Sequence, residues 1–154
     1  MLSEKVKNEI EDHIKKLPTR KAASLEALSV VQKHHGWVSD ESLRELAEFL
    51  EMSPHELDSV ATFYNLVFRR PVGRHVILVC DSISCWVMGY EKLVAQFNDK
   101  LGIKWGETTA DQRFTLLPIP CLGTCDHAPA LMIDDDLHRD LDASSLADIL
   151  NRYD

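Results

Sequence analysis

Apolar residues recur at helical spacing through the first half of the chain and then change to compact runs. Val6, Ile10, Ile14 and Leu17 follow at spacings of 4, 4 and 3, one stripe of a helix that Pro18 stops. Leu25, Leu28 and Val31 continue as a second helix ending near His34-His35, with Gly36 as its C-terminal cap. Leu43, Leu46, Phe49 and Leu50 mark a third helix after Ser39-Asp40. Ser53-Pro54-His55-Glu56 starts a fourth: serine caps, proline suits the first turn, and the glutamate completes a capping box. Its expected buried stripe is Leu57, Val60, Ala61 and Tyr64.

Arg69-Arg70-Pro71-Val72-Gly73 breaks the pattern, so the expected domains are 1–72, helical, and 73–154. After the break, His75 to Cys80 reads as a buried strand rich in Val and Ile. Gly89 to Leu101 is helical, with Leu93, Val94 and Phe97 inward. Phe114 to Leu117 and Ala130 to Ile133 are strands, and Asp134-Asp135-Asp136 turns into a short one near 137–139. Asp142 caps a last helix carrying Leu146, Ile149, Leu150 and Tyr153. Strand, helix, three strands and helix make a small mixed sheet with helices on its faces, the reduced thioredoxin arrangement. The fold class is therefore α+β: an N-terminal helical bundle, then a thioredoxin-like mixed-sheet domain.

Composition narrows the function. At 45% hydrophobic and 27% charged, the 154-residue chain is ordinary for a globular protein, with length for one domain or a domain with a smaller helical extension. No signal-peptide core and no run near ~18 apolar residues is evident, so a cytoplasmic location with reduced thiols is expected. The net charge is −8, and residues 73–154 carry 7 basic against 13 acidic groups, a net of −6. An acidic chain without a basic stripe argues against a nucleic-acid partner. Arg69-Arg70 reads as a solvated loop pair, and Asp134–Asp136 as a solvated turn.

The chemistry lies in four cysteines. Cys80 and Cys85 stand in C-D-S-I-S-C, and Cys121 and Cys125 in C-L-G-T-C, with 35 residues between the pairs. Each pair is placed on a loop after a strand, Cys85 just before the helix. If the first two strands are neighbours, both loops leave the same end of the sheet and the four sulfurs meet. Such a donor set suits an iron–sulfur cluster or a structural zinc. Neither pair has the C-x2-C spacing of common zinc knuckles, and no C-x-x-C supplies a thiol–disulfide pair. Residues 82–84 and Gly123-Thr124 can turn amides toward sulfur. No G-x-G-x-x-G loop for a nucleotide is present. His34-His35 at a helix end read as capping or solvated groups, and His127 is assigned no metal because four cysteines already complete a set. Phe63 and Phe68 are candidate anchors for a partner, and Trp86 a candidate shield beside Cys85.

The segments C-D-S-I-S-C-W-V-M-G-Y, R-F-T-L-L-P and P-C-L-G-T-C-D-H-A-P-A-L-M-I-D, with S-V-A-T-F-Y at 59–64, resemble the thioredoxin-like 2Fe–2S subunit of respiratory complex I. In bacteria this is the E subunit of NADH:quinone oxidoreductase. The resemblance runs from about residue 25 and implies one 2Fe–2S cluster held by Cys80, Cys85, Cys121 and Cys125. It implies an electron-transfer subunit, part of an oxidoreductase and translocase of the respiratory chain, with no active site of its own. The cluster would exchange single electrons with FMN on an adjacent flavin- and NADH-binding subunit, in a peripheral arm on the cytoplasmic side of the inner membrane. Two alternatives stay open: the homologous subunit of an NAD-linked formate dehydrogenase or hydrogenase, and a zinc-stabilised interaction module.

Overall fold

A computed structural model describes residues 2–142 and 144–153. The chain packs as two units, residues 1–71 and 72–154.

The first unit is four helices. α1 (Glu4–Ile14) buries Val6, Ile10 and Ile14 and is capped by the Ser3 side chain. It ends before Pro18 is reached, because Lys16 and Leu17 close tighter turns onto His13 and Ile14. A 3-10 turn over Arg20–Ala23, capped by Thr19, leads into α2 (Ser24–His35). Gly36 ends α2 at φ 80, donating its N–H to Gln32, a left-handed geometry that disfavours any other residue. α3 (Asp40–Phe49) is capped by Ser39, and α4 (Pro54–Phe63) starts with the full capping box of Ser53 and Glu56. The fourth stripe is one residue shorter than expected. Tyr64 leaves helical geometry at φ −94, ψ 110, so its ring is 42% exposed instead of joining Leu57 and Ala61.

Arg69 is not a solvated loop residue. Its guanidinium donates to the Val38 carbonyl, to Asp40 and to Asp58, tying the start of α3 to the middle of α4. Its partners lie 11 to 31 residues away, which no local pattern reveals.

The second unit holds a four-stranded sheet in the order β2-β1-β3-β4, from β1 (His75–Cys80), β2 (Phe114–Ile119), β3 (Leu131–Ile133) and β4 (Asp136–His138). β1 runs parallel to β2, with His75 opposite Phe114 and Cys80 opposite Ile119. It runs antiparallel to β3, which pairs antiparallel with β4. β2 continues through Pro118 because it is an edge strand, where a missing N–H costs no ladder bond. Alternation puts Ile77, Val79, Phe114, Leu116, Leu131 and Ile133 on one face. Two helices, α6 (Tyr90–Leu101) and α7 (Leu146–Leu150), cover that face with Leu93, Phe97, Leu146 and Leu150. Between β1 and α6 lies a short helix the sequence did not reveal, α5 (Ile83–Val87).

The hairpin aspartates are engaged rather than solvated. Asp134 accepts from the Val76 N–H and pairs with His75 at 2.6 Å, and Asp136 accepts from the Tyr153 hydroxyl at 3.0 Å. Arg113 stacks on Phe114 and donates to the carbonyls of Leu150 and Tyr153, which satisfies the end of α7. Gly73 is fixed by space: a Cβ there would meet the backbone of Gln112 and Arg113 at 3.0 Å. Among the described residues no helix is long and apolar enough to cross a membrane.

Candidate metal centre

The parallel pairing of β1 and β2 brings both cysteine segments to one end of the sheet. Cys80 is the last residue of β1, and its N–H donates to the Ala130 carbonyl at 3.1 Å. One residue on, the Asp81 N–H donates to the Ile119 carbonyl at the end of β2. The Cys80 thiol faces the Pro120 carbonyl, 3.8 Å away and 40 residues distant in sequence. Cys85 precedes α6, as expected, and also lies inside α5, of which it is the buried residue. Cys121 follows β2, and Cys125 opens a 3-10 turn over Cys125–His127, after which the Ala128–Pro129 bond is cis.

The thiols stand as two pairs. Cys121 Sγ and Cys125 Sγ are 3.7 Å apart. Two thiolates ~2.3 Å from one tetrahedral ion are separated by ~3.75 Å, so this pair already has the spacing of a shared metal. Cys80 interacts electrostatically with Cys85 and also with Cys121, which links the two segments. Among the described residues no group of three or more Cys, His, Asp or Glu side chains surrounds a single metal position.

The two pairs differ in electrostatics. Burial pushes the Cys85 thiol up to about 11, the neighbouring Cys80 adds to this, and a backbone hydrogen bond with Ala130 opposes it. Cys121 is exposed, and its thiol is lowered chiefly by the Gly123 N–H, which donates to Sγ at 3.3 Å. Gly123 makes this turn at φ 75. Contact with Cys121 raises the Cys125 thiol, and the Ser84 hydroxyl opposes that rise. The Ser82 hydroxyl reaches Cys121. Each serine of D-S-I-S thus supports a sulfur of the other segment, a contact that sequence spacing does not disclose.

These differences make a prediction for the metal-free chain. At pH 7.5, iodoacetamide alkylates exposed Cys121 at least about tenfold faster than buried Cys85, because only the thiolate reacts. The Cys85 rate climbs only as pH approaches 11. Peptide mass spectrometry along a time course reads the order, and equal rates at the two sites would contradict it.

The other candidates have partners. His34 pairs with Glu9 at 2.9 Å. His127 is held by Asp140 at 2.8 Å and Asp126 at 3.5 Å. Phe63 is largely exposed, Phe68 half-buried and Trp86 exposed.

Known proteins resemble this chain in sequence and in fold. A family model described as thioredoxin-like [2Fe-2S] ferredoxin matches residues 10–154. The E subunit of NADH-quinone oxidoreductase from Pseudomonas aeruginosa is 48% identical over 153 residues, covering 99% of this chain and 92% of that protein. Its namesake from Escherichia coli is 49% identical over 133 residues, 86% of this chain and 80% of that one. Among solved structures, a chain of an NAD+-reducing [NiFe]-hydrogenase superposes with a TM-score of 0.70 at 26% identity. That match covers 81% of this chain and only 22% of the hydrogenase chain.

Proposed function

The chain belongs to the thioredoxin-like [2Fe-2S] ferredoxin family, and from that premise we propose that it is the cluster-bearing E subunit of an NADH–quinone oxidoreductase. Cys80, Cys85, Cys121 and Cys125 would hold one 2Fe–2S cluster, two thiols to each iron. The observation that carries this assignment is the gathering of both cysteine segments at one end of the sheet, with Cys121 and Cys125 Sγ at 3.7 Å. When bound, the cluster supplies one-electron redox chemistry. The rest is the work of the chain's own groups. Gly123 N–H and the Ser82 and Ser84 hydroxyls offset negative charge on sulfur, and α5 keeps Cys85 out of water.

The chain lacks a nucleotide-binding glycine loop, which fits FMN and NADH being held by an adjacent subunit of the complex. With the E subunits as its relatives, we infer a peripheral position on the cytoplasmic side of the inner membrane. Residues 1–72 would then be a helical domain and 73–154 the cluster domain. Relatives at 48–49% identity over most of their length favour the quinone-linked complex over the hydrogenase, matched at 26%.

Metal and sulfide analysis with an EPR spectrum of the dithionite-reduced protein tests the reading. The expected result is two iron and two sulfide per chain and a signal from one unpaired electron. Stoichiometric zinc in an EPR-silent protein would replace this reading with the zinc module.

A further inference from the structure

The four thiols are not equally open to water. Cys80 and Cys85 are each 2% exposed, whereas Cys121 and Cys125 are both exposed. A small oxidant arriving from solution therefore meets the second pair first. An exposed thiol that is oxidised alone passes from sulfenic to sulfinic and sulfonic acid, unless a second thiol stands close enough to trap the first product. Here one does. Cys121 Sγ and Cys125 Sγ are 3.7 Å apart, and a disulfide bond is ~2.05 Å long, so about 1.7 Å remains to close.

The backbone between the two sulfurs permits that closure. Residues 120–124 lie between the end of β2 at Ile119 and the 3-10 turn that opens at Cys125, outside both elements. Gly123 turns this loop at φ 75, and the place where a Cβ would stand has nothing within 4 Å, so the loop has room to shift. The first pair has no such freedom. Cys80 is held in β1 by its N–H bond to Ala130, and Cys85 is fixed inside α5.

We propose that, before the chain carries metal, Cys121 and Cys125 form a reversible redox switch: a hydroperoxide joins them in a disulfide, and a dithiol reductant reopens them. With hydrogen peroxide, the Cys121 sulfur attacks one oxygen and the O–O bond breaks. The thiol proton leaves with the departing hydroxyl as water, and a sulfenic acid remains on Cys121. The Cys125 sulfur then attacks the Cys121 sulfur, the S–OH bond breaks, and the hydroxyl takes the Cys125 proton as a second water. Two thiols and one peroxide thus become one disulfide and two waters. In the reverse direction the dithiol is oxidised to its own disulfide, and both cysteines return as thiols. The disulfide stands on the geometry alone, and its consequence for a cluster rests on the function proposed above. A joined pair offers no thiol to iron, so the site stays closed under peroxide while its exposed half is spared irreversible oxidation.

The test treats the full, metal-free chain with hydrogen peroxide near neutral pH, caps free thiols with N-ethylmaleimide and cuts with trypsin without reduction. Cleavage at Arg74, Lys92, Arg113 and Arg139 leaves Cys80 and Cys85 on one peptide and Cys121 and Cys125 on another. Mass spectrometry then tells the possible pairings apart. The expected result is a 114–139 peptide that has lost two hydrogens and carries no maleimide, beside a 75–92 peptide with both thiols capped. Dithiothreitol restores Cys121 and Cys125. Cobalt(II) reads access to the site: its thiolate absorbance develops in the reduced chain, is lost in the oxidised one, and returns once the disulfide is reduced and the reductant removed. In Cys125→Ser the trap is gone, and sulfinic and sulfonic acid at Cys121 rise at least about tenfold over wild type. A disulfide between the two segments, for which the Cys80–Cys121 interaction makes Cys80 the competing partner, overturns the proposal. So does maleimide on both Cys121 and Cys125 after peroxide, irreversible acid at Cys121 in the wild-type chain, or full cobalt absorbance in the oxidised chain. Should Cys125→Ser fail to fold, the wild-type peptide map decides alone. Failure of the function reading looks different: the reduced chain then takes up zinc in place of a cluster, while the disulfide still forms.

Discussion

Cys121→Ala abolishes stable cluster binding and leaves the helical unit folded. Iron and sulfide fall from two per chain toward zero, because three thiols cannot close the coordination of two irons. Position 121 offers no substitute: it is exposed, and its sulfur is the one that Gly123 N–H addresses. The helical unit has its own core of Val6, Ile10, Leu28, Leu46, Leu50 and Leu57, to which no thiol belongs. Far-UV circular dichroism should therefore keep its helical signal while visible absorbance vanishes. Iron and sulfide retained at two each in this variant would sink the four-cysteine assignment.

Phe97→Ala should strike the other way, through packing with the thiols untouched. Phe97 is fully buried in the middle of α6, against the face of the sheet that Ile77, Val79 and Leu116 line. Truncating such a ring costs about 3–5 kcal/mol, from lost transfer free energy and the cavity left behind. A whole domain holds only about 5–15 kcal/mol, so the sheet unit becomes marginal or fails. In urea, cluster absorbance disappears at much lower concentration than in wild type, and the helical unit's transition stays where it was. Both probes shifting together would show one cooperative body instead of two domains, against the proposed division near residue 72.

The contrast between these variants reflects what the sequence can disclose. Stripes such as Val6, Ile10 and Ile14, or Leu93, Val94 and Phe97, are visible because helical periodicity repeats over three turns. The compact run of β1 announces a strand buried on both faces. The order of elements permits β1 beside β2 without requiring it, and the meeting of the two cysteine segments rests on that pairing. Helix α5 escaped because five residues hold no full period, and because outward apolar side chains invert the signal that marks a helix. Tyr64 fits the stripe arithmetic, yet the helix stops one residue before it. Arg69, Asp134 and Asp136 read as solvated charges because their partners are tertiary. The hydroxyls of Ser82 and Ser84 escaped for the same reason: they serve sulfurs some forty residues along the chain.

The parallel pairing of β1 and β2 also fixes a schedule for biogenesis. Parallel neighbours need a long crossover, here α6 and the segment after it. During synthesis the helical unit is finished before any thiol exists. On the proposed ligand assignment, Cys80 and Cys85 then emerge as half a binding site, and they wait while the next 35 residues are made. Only when residue 125 has left the ribosome and Cys80 lies opposite Ile119 are four sulfurs available together. On that assignment, a nascent chain that ends in the crossover holds two of the four thiols, and the full set exists only with the completed sheet.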